Sequence, residues 1–190
     1  VLGLDPRALA DSNCILVWGA NPSHTAPHTH EMLLETSAAL MVVDPITTKT
    51  ATSADLHLKL KPGTDSALAF GLLHLLKLNG DFDESFIKHH TLGYDRIRDT
   101  IDGCTPAWTE SITGVSEQDI RRAAEYYGAG PSALWAGQGL QRQNKGGNIM
   151  RSIGLLPALT GNIGKPGAGV SYLNVAPVAA GLDFDWLEGA

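Results

Sequence analysis

Cysteine is nearly absent, with only Cys14 and Cys104 in 190 residues. Two cysteines build no disulfide framework, and their spacing suits neither zinc nor an iron–sulfur cluster. Basic residues are also scarce: 14 Lys and Arg stand against 20 Asp and Glu, for a net charge of −6. That balance argues against nucleic acid or an anionic membrane surface as the main partner. No run of 18 apolar residues occurs, so nothing reads as a membrane-spanning helix. Val1-Leu2-Gly3 opens without methionine or a basic, apolar leader, as expected of a mature protein or of a part of a larger one. Repeats, low-complexity blocks and a nucleophile-elbow pattern are missing as well.

The apolar content of 43% is that of an ordinary globular chain, and the length suits one α/β domain rather than two. Three short apolar runs carry most of the information. Cys14 to Trp18 runs into Gly19-Ala20-Asn21-Pro22, Leu40 to Val43 into Asp44-Pro45, and Ala133 to Trp135 into Ala136-Gly137-Gln138-Gly139. Such runs read as buried parallel strands. Ligands of open α/β sheets bind outside the carboxyl ends of the strands, so these three ends should line one mouth.

The remaining elements fit between them. A short entry helix is expected over Leu4 to Ala10, with Asp5 as its cap, and a helix over Thr29 to Ala39. Thr47 to Thr50 reads as a polar loop and Leu56 to Leu60 as a third strand. Thr64-Asp65 caps a buried helix over Ser66 to Leu78, stopped by Gly80. Asp81 to Gly114 should form short helices covering one edge of the sheet. Ser116 to Asp119 resembles a capping box ahead of Ile120 to Tyr127, with Gly128 as the stop, and a further helix from Gly147 to Leu156 should break near Pro157. Alternation of strands and helices means crossover connections. The expected fold is a doubly wound, Rossmann-like three-layer α/β sandwich with a mostly parallel sheet. One domain would span 1–170, and 171–190 would be a tail leading toward other parts of a larger protein.

The mouth residues each allow two readings. Gly19 lets a ligand approach the backbone, and the Asn21 amide donates and accepts, or Asn21-Pro22 simply turns the chain. Asp44 stands where a carboxylate can accept ribose hydroxyls, or it makes an Asx-turn. Gly63-Thr64-Asp65 opens the long helix. Asp65 disfavours a phosphate there but suits the paired donors of a guanine edge, and plain capping is the alternative. Gly137-Gln138-Gly139 with Gln141 and Arg142 admits close approach and supplies donors for a phosphate or a carbonyl-rich ring. This is not Gly-x-Gly-x-x-Gly, and Gly161 to Pro166 is not a P-loop.

Taken in order, these segments resemble the molybdopterin oxidoreductases of the dimethyl sulfoxide reductase and formate dehydrogenase type. The resemblance is colinear from about Ile15 to Gly169. It joins Trp18-Gly19-Ala20-Asn21-Pro22, Val43-Asp44-Pro45 with Thr48 and Thr50-Ala51, and Lys61-Pro62-Gly63-Thr64-Asp65. Ile112 to Val115, Gly137-Gln138-Gly139, Leu159 to Gly164 and Gly167-Ala168-Gly169 complete it. It implies binding of one half of a bis-molybdopterin guanine dinucleotide. Gly19 and Asn21 would lie at the pyrophosphate, Asp44 at the ribose and Gly63, Thr64 and Asp65 at the guanine. Gly137, Gln138 and Gln141 would lie nearer the pterin and metal, with Thr48 among the cofactor-binding residues.

Two departures accompany the resemblance. Ile46 stands where members usually carry Arg after Asp-Pro. The residues that ligate molybdenum or tungsten lie upstream of the Trp-Gly-x-Asn turn in the family, as do any iron–sulfur cysteines, and only 17 residues precede Trp18. No catalytic residue, metal ligand or iron–sulfur cluster is therefore expected in this chain, although the parent has room for a cluster. The parent would transfer an oxygen atom or two electrons, and this part alone would be inactive. Its partners would be the remaining parent domains and electron-transfer subunits, in a cytoplasmic or periplasmic setting left open. A competing resemblance is to the large iron–sulfur subunit of respiratory complex I, where a related domain is a non-catalytic scaffold. An unrelated NAD or FAD domain is disfavoured by the missing glycine fingerprint.

Other conspicuous residues read as structural. His24, His28 and His30 lie close together but lack a completing ligand set. His89-His90 suits a helix C-terminus and His74 a hydrogen-bonded core position. Trp18, Trp108, Trp135 and Trp186 read as packing residues.

Overall fold

β1 (Cys14–Trp18) forms the centre of the molecule, and all five of its residues are buried. A strand pairs on each side of it and helices cover both faces, so no residue of the run meets water. The computed structural model describes residues 6–172; Asp5, Trp186 and the tail from Ala176 lie outside them. A 3₁₀ turn at Pro6–Asp11 leads into β1. There follow α1 (Pro22–Thr25), α2 (Pro27–Glu35), β2 (Ala39–Val43), α3 (Lys49–Thr52), β3 (Leu56–Leu58) and α4 (Asp65–Asn79). The chain continues through α5 (Glu84–His90), α6 (Arg98–Gly103), α7 (Pro106–Thr113), α8 (Glu117–Gly128), β4 (Ser132–Ala136), α9 (Gly146–Leu159) and β5 (Gly169–Tyr172).

The sheet has the order β3-β2-β1-β4-β5, and every pairing is parallel. Strands are added to one side of β1 as β2 and β3 and then to the other as β4 and β5. The winding therefore reverses between β1 and β4, and their carboxyl ends form the topological switch point. Alternation divides the strand side chains. Cys14, Leu16, Trp18, Met41 and Val43 join α4, α8 and α9 in one apolar cluster. Ile15, Val17, Leu40 and Val42 join Leu9, Leu33 and Ala51 in a smaller one. This is the expected three-layer α/β sandwich.

Several local expectations need correction. The 3₁₀ turn replaces the entry helix, and α2 starts and stops earlier than expected, with Thr36 as its C-cap. The supposed polar loop becomes α3 because the Thr48 hydroxyl accepts the Ala51 N–H (3.1 Å), a side-chain N-cap. β3 stops at Leu58. The segment after α4 packs on α4 and α9, not on a sheet edge. Gly128 is the last residue of α8 and not a left-handed stop; a Cβ there would meet the Asp81 carboxylate. α9 continues through Pro157 to Leu159. β5 has no counterpart among the expected strands.

Other signals act as read. Gly80 adopts a left-handed C-cap (φ 82°) on α4, and the Ser116 hydroxyl accepts the Asp119 N–H (3.1 Å) at the start of α8. His74 bonds the Ile101 carbonyl (3.0 Å).

Candidate functional site

Because all strands run the same way, the loops after β1, β2, β3 and β4 emerge at one end. The loops after β1 and β4 meet most closely. The Gly137 amide donates to the Trp18 carbonyl (2.8 Å), and a Cβ on Gly137 would land on the Gly19 carbonyl oxygen. Gly19 has φ +60°, and a Cβ there would press on Leu140 at 2.9 Å. Both glycines thus serve the contact between two loops and leave it compact enough for ligand on the outer side.

Asn21 is held by proton logic. The Thr50 hydroxyl accepts the Ser23 N–H (3.2 Å) and so has its own proton to donate to Asn21 Oδ1 (3.2 Å); the Ser23 hydroxyl donates to the same oxygen (2.6 Å). The carbonyl side of the amide is therefore occupied within the fold, and its NH₂ group is the part offered to a ligand. Thr50 is fully buried, and its positioning role escaped the sequence reading.

Asp44 follows its Asx-turn reading: Oδ1 accepts the Ile46 N–H (2.9 Å), while His57 contacts the Asp44 carbonyl (3.0 Å). Thr48 spends its hydroxyl on capping α3. Neither residue has a hydrogen bond to Asn21 or Asp65 among the described residues; the segment after β2 joins the β1 loop through Thr50 instead.

Asp65 is the most constrained residue of the group. It is only 3% exposed. Its Oδ1 accepts the Trp18 indole N–H (2.9 Å), and its Oδ2 accepts the Gln143 side-chain amide at 3.4 Å. Thr64 makes no side-chain cap, and its hydroxyl donates instead to the Lys61 carbonyl (2.6 Å). Gly63, at φ +83°, faces Gln143 Oε1, which would lie 3.5 Å from a Cβ. Plain capping therefore does not account for Asp65. Trp18 could have been anticipated, since alternation turns it toward the face that α4 covers and a buried indole N–H needs an acceptor. Gln143 gave no such signal.

Gln138 and Gln141 are exposed on the β4 loop. Gln138 accepts from Arg142 (3.3 Å), and Gln141 accepts from the Tyr172 hydroxyl of β5. These two lie on the side of the switch point away from Asp44.

The rest of the molecule offers little chemistry. Burial pushes the Cys14 thiol up to about 12, with the Ser132 side chain offsetting part, and burial also raises Cys104. Neither thiol is poised as a nucleophile. Among the described residues, no group of three or more His, Cys, Asp or Glu could hold a metal, and no helix is long and apolar enough to cross a membrane. A cavity of about 400 Å³ lies at the opposite end, between the 3₁₀ turn and α2, lined by Arg7, Leu9, Met32 and Glu35.

A switch-point mouth of this kind serves many cofactors, and comparison with known proteins places the chain in a family. A family model described as molybdopterin oxidoreductase matches residues 5–183. The chain belongs to the molybdopterin oxidoreductase family. Formate dehydrogenase H of Escherichia coli is 36% identical over 166 residues, which is 85% of this chain and 23% of that protein. The probable oxidoreductase YoaE of Bacillus subtilis is 37% identical over 163 residues, 84% of this chain and 24% of its own length. Among solved structures, acetylene hydratase from Pelobacter acetylenicus superposes with a TM-score of 0.78 at 28% identity, covering 88% of this chain and 23% of that one. The chain thus spans about a quarter of the length of these similar proteins.

Proposed function

We propose that residues 1–170 form the guanine-dinucleotide-binding domain of a larger molybdenum or tungsten oxidoreductase, with 171–190 leading toward the rest of it. The observation that carries this reading is the gathering of Gly19, Asn21, Gly63 to Asp65 and Gly137 to Gln141 at one switch point. The donor set fits the ligand: an outward amide at Asn21 for pyrophosphate, and a carboxylate held by neutral donors at Asp65 for the base. When bound, the metal–pterin group supplies the oxygen-atom or two-electron transfer. This chain binds and orients the dinucleotide, and alone it turns nothing over. Turnover by the isolated chain with added cofactor and substrate would overturn that last statement.

Calorimetric titration of cofactor-free protein with GDP, with ADP as control, tests the assignment. GDP should bind selectively, with selectivity lost in Asp65→Ala. Asp44→Ala should weaken GDP binding modestly without changing selectivity, since the ribose is common to both nucleotides and one Asp44 oxygen already serves its own turn. Equal binding of GDP and ADP by the intact protein refutes it.

A second reading, a non-catalytic scaffold like that of complex I, draws on Ile46. This residue is 65% exposed at the β2 lip and offers no charge to a dinucleotide. Acid treatment of the purified intact protein separates the two readings. Release of about one GMP or more per chain supports the cofactor domain, and its absence supports the scaffold.

A further inference from the structure

The two oxygens of Asp65 are held unequally. Trp18 is fully buried, and its N–H has one route to satisfaction, the 2.9 Å bond to Oδ1. That oxygen is pinned from below by the sheet itself, because Trp18 is the last residue of the central strand. Among the described residues, Oδ2 has only the Gln143 amide at 3.4 Å, beyond the usual N–H···O range of about 2.7–3.2 Å. A buried carboxylate oxygen with a long, neutral partner is under-satisfied, and a better donor gains by replacing it.

Gln143 is suited to being replaced. It is half-buried in the turns between β4 and α9, and its other amide atom, Oε1, lies over Gly63. When a ligand donor takes Oδ2, the Gln143 NH₂ is released beside it and needs an acceptor of its own. A guanine edge presents two adjacent donors, N1–H and the N2 amine, next to an acceptor, O6. Asp65 matches the donors, and the released amide matches the acceptor. Adenine offers a lone pair at N1, which a carboxylate repels.

We infer that Gln143 is a specificity-determining residue for guanine, replacing its own contact to Asp65 with one to O6, and that Trp18 is the positioning residue for Asp65. This rests on the guanine assignment proposed above. The test uses cofactor-free intact protein titrated with GDP, IDP and ADP. IDP keeps O6 and lacks the N2 amine. In Gln143→Ala, GDP and IDP affinity should both fall about tenfold, the scale of one lost hydrogen bond, while ADP binding stays as weak as before. Gln143→Glu, which sets a second carboxylate against O6, should fall further. Trp18→Phe keeps an aromatic ring, smaller than the indole, and loses the N–H, and should lower the preference for GDP over IDP by unpinning the carboxylate. Wild-type affinity for GDP in Gln143→Ala overturns the inference while leaving the guanine assignment standing. A parallel fall in ADP binding also overturns it, since general damage to the mouth would act on every nucleotide. Absence of guanine preference in the unmodified protein removes the assignment and this inference together.

Discussion

One face of the sheet carries three long helices, α4, α8 and α9, over Cys14, Leu16, Trp18, Met41 and Val43, whereas the other is covered by α2, the short α3 and a 3₁₀ turn. The two halves of the mouth inherit this difference. Asp65 is anchored through Trp18 to the thick face, and Asn21 is anchored through Thr50 of α3 to the thin one. The thick side contributes rigidity to base recognition. The thin side holds its polar group with hydroxyls alone, so local opening should start there.

The comparison is broken most directly by truncating one core leucine on each side. Leu72→Ala, under α4 at 0% exposure, should cost about 3 kcal/mol or more in urea unfolding. Leu33→Ala, on α2 at 2%, should cost nearer about 2 kcal/mol, because the apolar cluster it belongs to is smaller. Equal losses, or equal hydrogen-exchange protection of α2 and α4 amides, would erase the distinction.

A smaller effect belongs to the thick face alone. Burial there raises the Cys14 thiol from 9.0 to about 12, so the folded chain holds this proton more tightly than the unfolded chain. The stability from this group is complete below pH 9 and is lost as pH rises toward 12, at about 1.4 kcal/mol per pH unit at most. Cys14→Ala should flatten that part of the stability curve. An unchanged slope would place the alkaline loss elsewhere, for example at Tyr127, whose phenol burial also raises.

The smallest effect sharpens the thin side. Thr48→Ala removes the cap of α3 and should cost about 1 kcal/mol in thermal unfolding, with rescue by Thr48→Ser. No loss would mean that α3 is held by packing of Ala51 rather than by its cap.

The architecture was legible because its central strands are uniform apolar runs ended by glycine or aspartate, a pattern that parallel sheets impose locally. β5 escaped because Gly169-Val170-Ser171-Tyr172 follows a glycine-rich stretch, and its strand state comes from pairing with β4. Pro157 read as a break, yet α9 continues through it to Leu159, with the helix packed against α4. The site was legible as a set of loops but not as a network. Gly19 and Gly137 were visible as glycines, while the fact that each makes room for the other's loop depends on strand order. The bond between Trp18 and Asp65 spans 47 residues and exists only once α4 lies on the sheet.

The contact between Gly19 and Gly137 also constrains how this domain can be recombined. It joins one loop from the first half of the chain to one from the second, with no room for a side chain between them. A chimera that takes its first half from one relative and its second from another will assemble only if the first parent has glycine at position 19 and the second has glycine at position 137. Diversity in this mouth is therefore best sought outward of the contact, at the exposed His24, Thr25, Gln138, Gln141, Arg142 and Asn144, where a new side chain meets solvent or ligand instead of the opposite loop.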